Sequence, residues 1–334
     1  MVRWDHSWRP RLFHLFMFGF QNRPGNFPGH NRETQTMPSF SFQRVAAAIA
    51  LLSASLAPVA AQAQALDLSR YTLTSSFALP GTASESSAIT WNWDTNTLFV
   101  VGDEGDTITE VARDGTVIGS MSLSGFDDTE GLTYIGNGEF VIAEERIQDV
   151  YKLSYQSGGN ASRGSLQSVS LGGTVGNEGI EGISFDRASG QFVTVKEKNP
   201  QGVQVGGINF ANGTHTMSNL FTPNLGVADL SDVQVLSGFT GASFADNLLI
   251  YSQESQRLLE VTRTGQVLSS FALTTISGIA EGVTIAADGT IFITDESPFV
   301  YILPAPGPEP ETYAMLLAGL AAVAGVARRR RRNA

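Results

Sequence analysis

The sequence predicts an all-β protein, a β-propeller of four-stranded blades, on three observations. Short apolar runs rich in Val, Ile, Thr and Phe alternate with Gly, Asn and Asp turns along most of the chain. The 334 residues include 35 glycines and only 16% charged residues, and no long charged helix pattern interrupts the runs. A similar unit also recurs roughly every 40 to 50 residues, which is the period of a propeller blade.

The repeat is clearest in five short copies of one pattern. "EGLTY", "EGISF" and "EGVTI" begin at Glu130, Glu181 and Glu281, and the weaker copies "SAITW" and "SDVQV" begin at Ser87 and Ser231. Successive copies are separated by 43, 51, 50 and 50 residues. We refer to these five first residues as the anchor positions.

Each anchor opens a unit of β-strands. An apolar strand, a turn, a second apolar strand ending near acidic residues and a third strand follow it, as in "FVIAEER" and then "DVYKLSY". Four units supply a fourth strand, whereas the fifth stops after "FVYILP". We expect the N-terminal run "YTLTSSFAL" (71–79) to complete that blade and to close the ring, which leaves no exposed edge. Five blades are predicted, and six are the alternative if residues 197–231 hide a further repeat.

Residues 37–65 predict a signal peptide ahead of the propeller. Arg44 precedes an apolar stretch, and the segment ends in small residues of the Ala-x-Ala kind at 61–65. Met37 is then the expected initiator, and residues 1–36 are an upstream extension through a misannotated start. The propeller is expected over residues 66–305.

The C-terminal segment, residues 306–334, combines three features in a fixed order. Pro308-Glu309-Pro310 precedes an apolar stretch over 313–327, and five arginines follow at 328–332. This order resembles the PEP-CTERM sorting signal of Gram-negative bacteria, and an ordinary tail anchor is the alternative. The resemblance implies recognition by an exosortase and release to the cell surface or extracellular matrix. The apolar stretch is short for a bilayer, but the arginines suit a cytoplasmic stop. We therefore expect transient membrane association, with initial anchoring in the inner membrane through this helix.

Composition excludes several classes of function. Residues 66–327 hold ten basic and thirty acidic residues, a net charge of about −20, which repels nucleic-acid backbones and favours cations. The chain has no cysteine, so disulfides, zinc–thiolate sites and cysteine nucleophiles are excluded.

Acidic residues recur at the same two places of the repeat and predict a metal site. Glu-Gly pairs precede the innermost strand, and acidic residues follow the next strand, so both are expected at one face of the ring. With no Cys and one His in residues 66–334, oxygen ligands favour Ca²⁺, and Mg²⁺ stays open. The principal candidate ligands are Glu85, Glu130, Glu144, Glu181 and Glu281. The second-rank candidates are Asp127, Glu145, Glu178 and Asp295.

These features together resemble the SdiA-regulated family of bacterial β-propellers, which are NHL-repeat-like. The stretches that carry the resemblance are 85–105, 114–146 and 181–198. The family implies a five-bladed propeller with bound Ca²⁺ and implies no firm enzymatic activity. The fourth unit departs from the pattern, with Ser231-Asp232 in place of Glu-Gly, and the first has Ser87-Ala88, with its acid displaced to Glu85.

Two functions from different classes follow from the sequence. The first is an exported calcium-binding module that presents its surface to an unknown protein or glycan ligand. The alternative is a calcium-dependent hydrolase, a lactonase, esterase or phytase-like enzyme that uses a metal-bound water. His215 falls in an outer-strand turn, no Gly-x-Ser-x-Gly motif is present, and ten basic residues are few for a phosphate substrate. The binding module is therefore the favoured interpretation.

Overall fold

The computed structural model describes residues 66–275, 278–307 and 310–332. The predicted upstream extension and signal peptide, residues 1–65, lie outside the described residues.

The described residues form 23 β-strands and one long helix. The chain begins with β1 (Ser75–Ala78), β2 (Ser86–Asn92), β3 (Thr97–Gly102), β4 (Thr107–Val111) and β5 (Val117–Ser124). It continues with β6 (Thr129–Gly136), β7 (Glu139–Glu144), β8 (Asp149–Ser154), β9 (Asn160–Ser162) and β10 (Gln167–Ser170). Next are β11 (Ile180–Asp186), β12 (Gln191–Lys196), β13 (Gly202–Gly206), β14 (Ile208–Asn209), β15 (Thr214–His215) and β16 (Ser218–Phe221). The last strands are β17 (Asp232–Val235), β18 (Leu248–Ser252), β19 (Arg257–Val261), β20 (Val267–Ala272), β21 (Ala280–Ile285), β22 (Ile291–Asp295) and β23 (Phe299–Leu303).

Three short 3₁₀ helices and the C-terminal helix complete the described elements. The 3₁₀ helices span Leu68–Arg70, Gly81–Ala83 and Arg163–Ser165, and helix α1 spans Pro310–Arg332. No helix among the described residues combines the length and apolar character needed to cross a bilayer. The predicted anchoring in the inner membrane therefore gains no support from α1.

Five antiparallel sheets form the five blades, which confirms the predicted fold. Blade 1 has the order β2-β3-β4-β5, with β9 added in parallel to β5. Blades 2, 3 and 4 have the orders β6-β7-β8-β10, β11-β12-β13-β16 and β17-β18-β19-β20. Blade 5 has the order β21-β22-β23-β1. The segment considered for a sixth blade supplies instead β13, β16 and the small β14–β15 hairpin of blade 3.

The N-terminal strand completes the last blade, as the sequence predicted. Strand β1 pairs antiparallel with β23, with Ser75 opposite Ile302 and Ala78 opposite Phe299. The innermost strands β2, β6, β11, β17 and β21 contact one another in that order, and β21 contacts β2. The ring is therefore closed.

A ring of side-chain hydrogen bonds joins neighbouring innermost strands. Thr90 Oγ1 accepts the backbone N–H of Tyr134 at 3.2 Å, and Thr133 Oγ1 accepts that of Phe185 at 3.0 Å. Side-chain hydroxyls of blades 3 and 5 accept a backbone N–H from the next blade in the same way. In blade 4 the side-chain amide oxygen of a glutamine instead accepts from the threonine hydroxyl of blade 5. The five side chains that make these bonds are Thr90, Thr133, Ser184, Gln234 and Thr284. Each lies three residues after an anchor, so the sequence repeat reflects how one blade holds the next.

Candidate metal centre

The anchor residues are displaced from the regular strand pairing. In blade 2 the register of β6 and β7 passes from Thr129 to Gly131, so Glu130 faces no partner. Blades 1 and 3 have the same shift at Ser87 and Glu181, and in blade 5 the irregularity covers Glu281 and Gly282. An extra residue of this kind is a β-bulge, and it re-aims its side chain away from the alternation of the strand. The bulges therefore turn anchor side chains toward one end of the axis.

The glycine after the anchor lets adjacent innermost strands approach closely. A Cβ atom at Gly182 would lie 2.5 Å from Oδ1 of Asp232 in blade 4. A Cβ atom at Gly282 would lie 2.8 Å from the carbonyl oxygen of Ser87 in blade 1. These distances leave no room for a side chain. The Glu-Gly pair thus combines a redirected carboxylate with a tight contact between blades.

The residue after the second strand of each blade lies beside the anchor. The N–H of Glu145 donates to the carbonyl of Asp128 at 2.9 Å, and the N–H of Glu197 donates to that of Gly179 at 3.1 Å. Blades 1 and 5 have the same bond, and in each case the accepting residue precedes the anchor by two positions. We name these residues the post-strand positions. They are Asp103, Glu145, Glu197, Gln253 and Glu296.

Three buried carboxylates from blades 2 and 3 form the densest part of this end, and we name them the acidic triad. Glu145, Glu181 and Glu197 are 1%, 8% and 9% exposed, and each offers a carboxylate oxygen within 4.8 Å of the others. Glu145 Oε1 accepts the N–H of Gly179 at 2.8 Å, and Lys198 Nζ lies 2.5 Å from Glu197 Oε1. The second oxygen of Glu197 is buried and has no hydrogen-bond partner among the described residues.

Burial and mutual repulsion raise the pKa of two anchor acids at this end, Glu181 and Glu130. The pKa of Glu181 is raised well above its usual value by burial and by the charges of Glu130, Glu145 and Glu197. The pKa of Glu130 is raised in the same way, by burial first and then by the charge of Glu281. These shifts show that the acids repel one another across blades 2, 3 and 5.

Two further acids extend the repulsion around the mouth. Burial and the neighbouring Glu296 raise the pKa of Glu281 to about 8. Burial and Glu145 raise the pKa of Asp128 to about 7, although Arg146 lies 2.9 Å away. Oε1 of Glu281 accepts from the amide of Gln253 at 2.8 Å, and its Oε2 is buried with no partner among the described residues. We call the anchor acids, the post-strand acids and Asp128 together the acidic mouth.

A second group of acids lies at the rim of blade 1. Glu85, Asp103 and Glu104 also offer carboxylate oxygens within 4.8 Å of one another, but Glu85 and Glu104 are exposed. Asp103 is also a post-strand acid of the acidic mouth and contributes to the raised pKa of Glu130 and Glu281, so the rim group is joined to the mouth through Asp103.

The structure brings some of the predicted ligands together and gives other partners to the rest. Glu130, Glu145, Glu181 and Glu281 belong to the acidic mouth, whereas Glu85 lies in the rim group. Glu144 is fully buried, and its carboxylate binds Arg163 at 3.0 Å and accepts the N–H of Asp127 at 2.7 Å.

The remaining second-rank candidates also have their own contacts. Asp295 is buried and accepts from the N–H of Phe299 and the hydroxyl of Tyr301. Asp127 is exposed and lies 3.6 Å from Arg146. Glu178 accepts from the side-chain amide of Asn199 at 2.7 Å. Asp295, Asp127 and Glu178 are thus each engaged by a partner of their own.

Four members of the acidic mouth were not among the predicted ligands: the post-strand acids Asp103, Glu197 and Glu296, and Asp128. The signal for Glu197 was present in the repeat, because "FVTVKEK" places it where "FVIAEER" places Glu145. Asp128 carried no such signal, because neither the anchor nor the post-strand slot includes it.

The acidic mouth suits a hard divalent cation. Its donors are carboxylate oxygens, and oxygens of Glu197 and Glu281 are buried without a partner, which is costly unless a bound group satisfies them. Ca²⁺ takes six to eight oxygen ligands in flexible geometry, which matches donors supplied by several independent strands. The residues present therefore fit Ca²⁺.

Comparisons with known proteins give two family matches and distant similarities to solved structures. Residues 62–303 match the sequence model of the family described as SdiA-regulated, and residues 308–332 match that of the PEP-CTERM protein-sorting motif, so both resemblances are confirmed. Among solved structures, glutaminyl cyclase of Myxococcus xanthus is 11% identical, with a TM-score of 0.49 over 72% of this chain and 97% of that chain. Virginiamycin B lyase of Staphylococcus aureus is 15% identical, with a TM-score of 0.37 over 68% of each chain.

Proposed function

The chain belongs to the SdiA-regulated family, and on this premise we propose that it is a calcium-binding β-propeller that acts as a binding module outside the cytoplasm. The observation that carries the proposal is the acidic triad with its unpartnered buried oxygen. Three buried carboxylates at this separation repel strongly unless they are protonated or neutralised by a cation.

Ca²⁺ is proposed to bind the carboxylates of Glu145, Glu181 and Glu197. Glu130 repels Glu181 electrostatically and is the next candidate, since both are anchor residues of neighbouring blades. Ligands from blades 2 and 3 would join two adjacent sheets, so the ion would stabilise the ring as well as neutralise the mouth.

The C-terminal motif supports a place outside the cytoplasm. A PEP-CTERM motif implies sorting by an exosortase-type machinery and export to the cell envelope. The body is strongly acidic, so we propose that it binds a protein or glycan at the cell surface or in the extracellular matrix.

The calcium site is tested by titration and by thermal unfolding of the purified chain. We expect Ca²⁺ to bind in calorimetry and to raise the melting temperature, and a chelator to reverse the rise. Glu181→Gln should abolish both effects. Glu110→Gln is the matched control, because Glu110 is also 8% exposed but bonds Thr97 in blade 1. Calcium binding that survives Glu181→Gln, or a melting temperature indifferent to Ca²⁺ and chelator, would contradict the site.

The hydrolase alternative is tested on the same material. His215 lies exposed in the β14–β15 hairpin of blade 3 and accepts the N–H of Met217, so it offers no base to the acidic mouth. Turnover of lactone, ester or phosphate-ester substrates under calcium saturation, lost in Glu181→Gln, would favour the enzyme over the binding module.

A further inference from the structure

The N-terminal end of the propeller docks into a buried position of blade 4. Leu66 and Leu68 are 6% and 0% exposed, and both pack in the apolar core that blades 4 and 5 share. The N–H of Leu68 donates to Oγ of Ser269 on β20 at 3.2 Å. The N–H of Leu66 donates to Oε1 of Glu260 on β19, also at 3.2 Å. The backbone nitrogen of Leu66 is thus fixed against one particular carboxylate.

Glu260 is a fully buried carboxylate with no cation beside it. It is 0% exposed and pairs with no basic side chain of the described residues. The side-chain amide of Asn247 donates to the same Oε1 at 2.7 Å. Oε2 has the hydroxyl of Ser269 at 3.0 Å, but that hydroxyl has one proton and also lies 2.8 Å from the carbonyl oxygen of Leu66. A buried carboxylate is costly unless it is paired, and the neutral donors around Glu260 supply no charge.

Glu110 provides an internal comparison from blade 1. Glu110 and Glu260 are each the fourth residue of the third strand of their blade, β4 and β19. Oε1 of Glu110 accepts from the hydroxyl of Thr97 at 2.8 Å, as Oε1 of Glu260 accepts from Asn247. Among the described residues, a backbone N–H reaches this carboxylate in blade 4 and not in blade 1. The added contact therefore comes from the N-terminal segment and not from the repeat.

The residue that reaches Glu260 is also the first residue after the predicted signal peptide. The segment 37–65 ends in Ala-Gln-Ala at 63–65, and signal peptidase cuts after small residues in this arrangement. The cut hydrolyses the peptide bond between Ala65 and Leu66. Water is added, so Ala65 keeps a carboxylate and Leu66 gains an α-ammonium group. A sequence pattern and a buried carboxylate, two independent features, thus point to the same atom, the nitrogen of Leu66.

We propose that signal peptidase cuts between Ala65 and Leu66 and that the new α-ammonium of Leu66 forms a buried ion pair with Glu260. The peptide nitrogen offers one N–H, whereas an ammonium offers three donors and a full positive charge. A charged donor roughly doubles the strength of a hydrogen bond to a carboxylate. Because Leu66 is 6% exposed once docked, the cut comes before this segment packs. The processed propeller is therefore more stable than its precursor.

The cleavage site is tested by exporting the full-length precursor in a Gram-negative host and sequencing the N-terminus of the purified product. We expect Leu66 as the first residue. A cut at another position overturns the proposal and leaves the calcium site untouched. An uncut chain overturns it as well, and it also counts against the proposed place outside the cytoplasm, on which this inference rests.

The ion pair is tested by moving the ammonium away from Leu66. A Ser-Gly-Ser insertion after Ala65 in the full-length precursor keeps the cleavage pattern, so the processed chain gains three residues and Leu66 keeps a peptide N–H. N-terminal sequencing verifies the position of the cut. We expect the insertion to lower the melting temperature by roughly 6 to 12 °C, because it removes one partner of a buried pair. A melting temperature that the insertion leaves unchanged overturns the proposal.

Glu260→Gln separates the charge from the packing, because glutamine keeps the size and an oxygen acceptor. In the processed chain it should lower the melting temperature about as much as the insertion does. In the chain with the insertion it should lower it by roughly 2 °C or less, since the charged pair is already absent. Glu110→Gln is the matched control and should have the same effect in both chains. Equal losses from Glu260→Gln in the two chains overturn the ion pair. The melts are made with calcium and with chelator, so the acidic mouth does not decide the result.

Discussion

Removing divalent cations should make the stability of this protein fall as the pH rises from 5 to 8. The perturbation is a chelator, which removes the cation proposed for the acidic mouth. Glu281 then has a pKa of about 8 in the folded chain, against 4.5 for the unconstrained side chain. Between these values the folded state holds a proton that the unfolded state has released. Stability gained from that proton is complete below pH 4.5 and is lost as the pH rises through 8.

The size of the effect follows from the same two values. A pKa that rises from 4.5 to about 8 corresponds to about 5 kcal/mol of unfolding free energy once the pH exceeds both. Glu281 is only partly buried, and its titration is linked to that of its acidic neighbours, so we expect about 2 to 4 kcal/mol for the mouth as a whole.

The assay is urea unfolding at pH 5, 6, 7 and 8, read by the fluorescence of Trp91 and Trp93. Saturating Ca²⁺ should remove most of the slope, because the ion replaces the protons. Glu281→Gln should flatten the slope of the metal-free protein, whereas Glu110→Gln, away from the mouth, should retain it. A metal-free stability that is constant or rises between pH 5 and 8 would refute the reasoning.

Three further substitutions test the contacts that organise the ring. Arg163→Ala leaves the fully buried carboxylate of Glu144 unpaired and should cost about 3 to 5 kcal/mol in chemical unfolding, a loss that Glu144→Gln in the same chain should partly restore. Gly182→Ala should cost about 1 to 3 kcal/mol by thermal unfolding, because its Cβ would overlap the next blade, whereas Gly164→Ala has open space and should be neutral. Thr133→Val removes an acceptor from a buried backbone N–H between blades and should cost about 1 to 3 kcal/mol; an unchanged melting temperature would show that this ring of bonds is dispensable.

The blades could be predicted because each blade corresponds to one copy of a sequence repeat. Turn residues separate short apolar runs, and the anchor pattern returns at nearly constant intervals. Closure by β1 was also predictable, because the fifth unit lacked a strand and residues 71–79 had no unit. Both predictions use only the order of the strands along the chain, and that order is the same in each copy of the repeat.

The ligands were harder to predict because side chains alternate along a strand. Glu144 and Glu145 are adjacent in sequence, yet Glu144 ends strand β7 and binds Arg163, whereas Glu145 lies in the acidic triad. A shift of one residue reverses the face that a side chain occupies, and sequence spacing alone does not settle which of two neighbouring acids faces the axis.

The pairing of β1 with β23 joins the two ends of the propeller sequence and so closes the ring. The N–H of Thr74 donates to the carbonyl of Ile302, a contact between residues 228 positions apart. Closure therefore needs nearly the whole propeller sequence, so the ring is completed only after β23 has been made. The sorting motif begins at residue 308, just beyond β23, so every strand of the propeller precedes the motif in the chain.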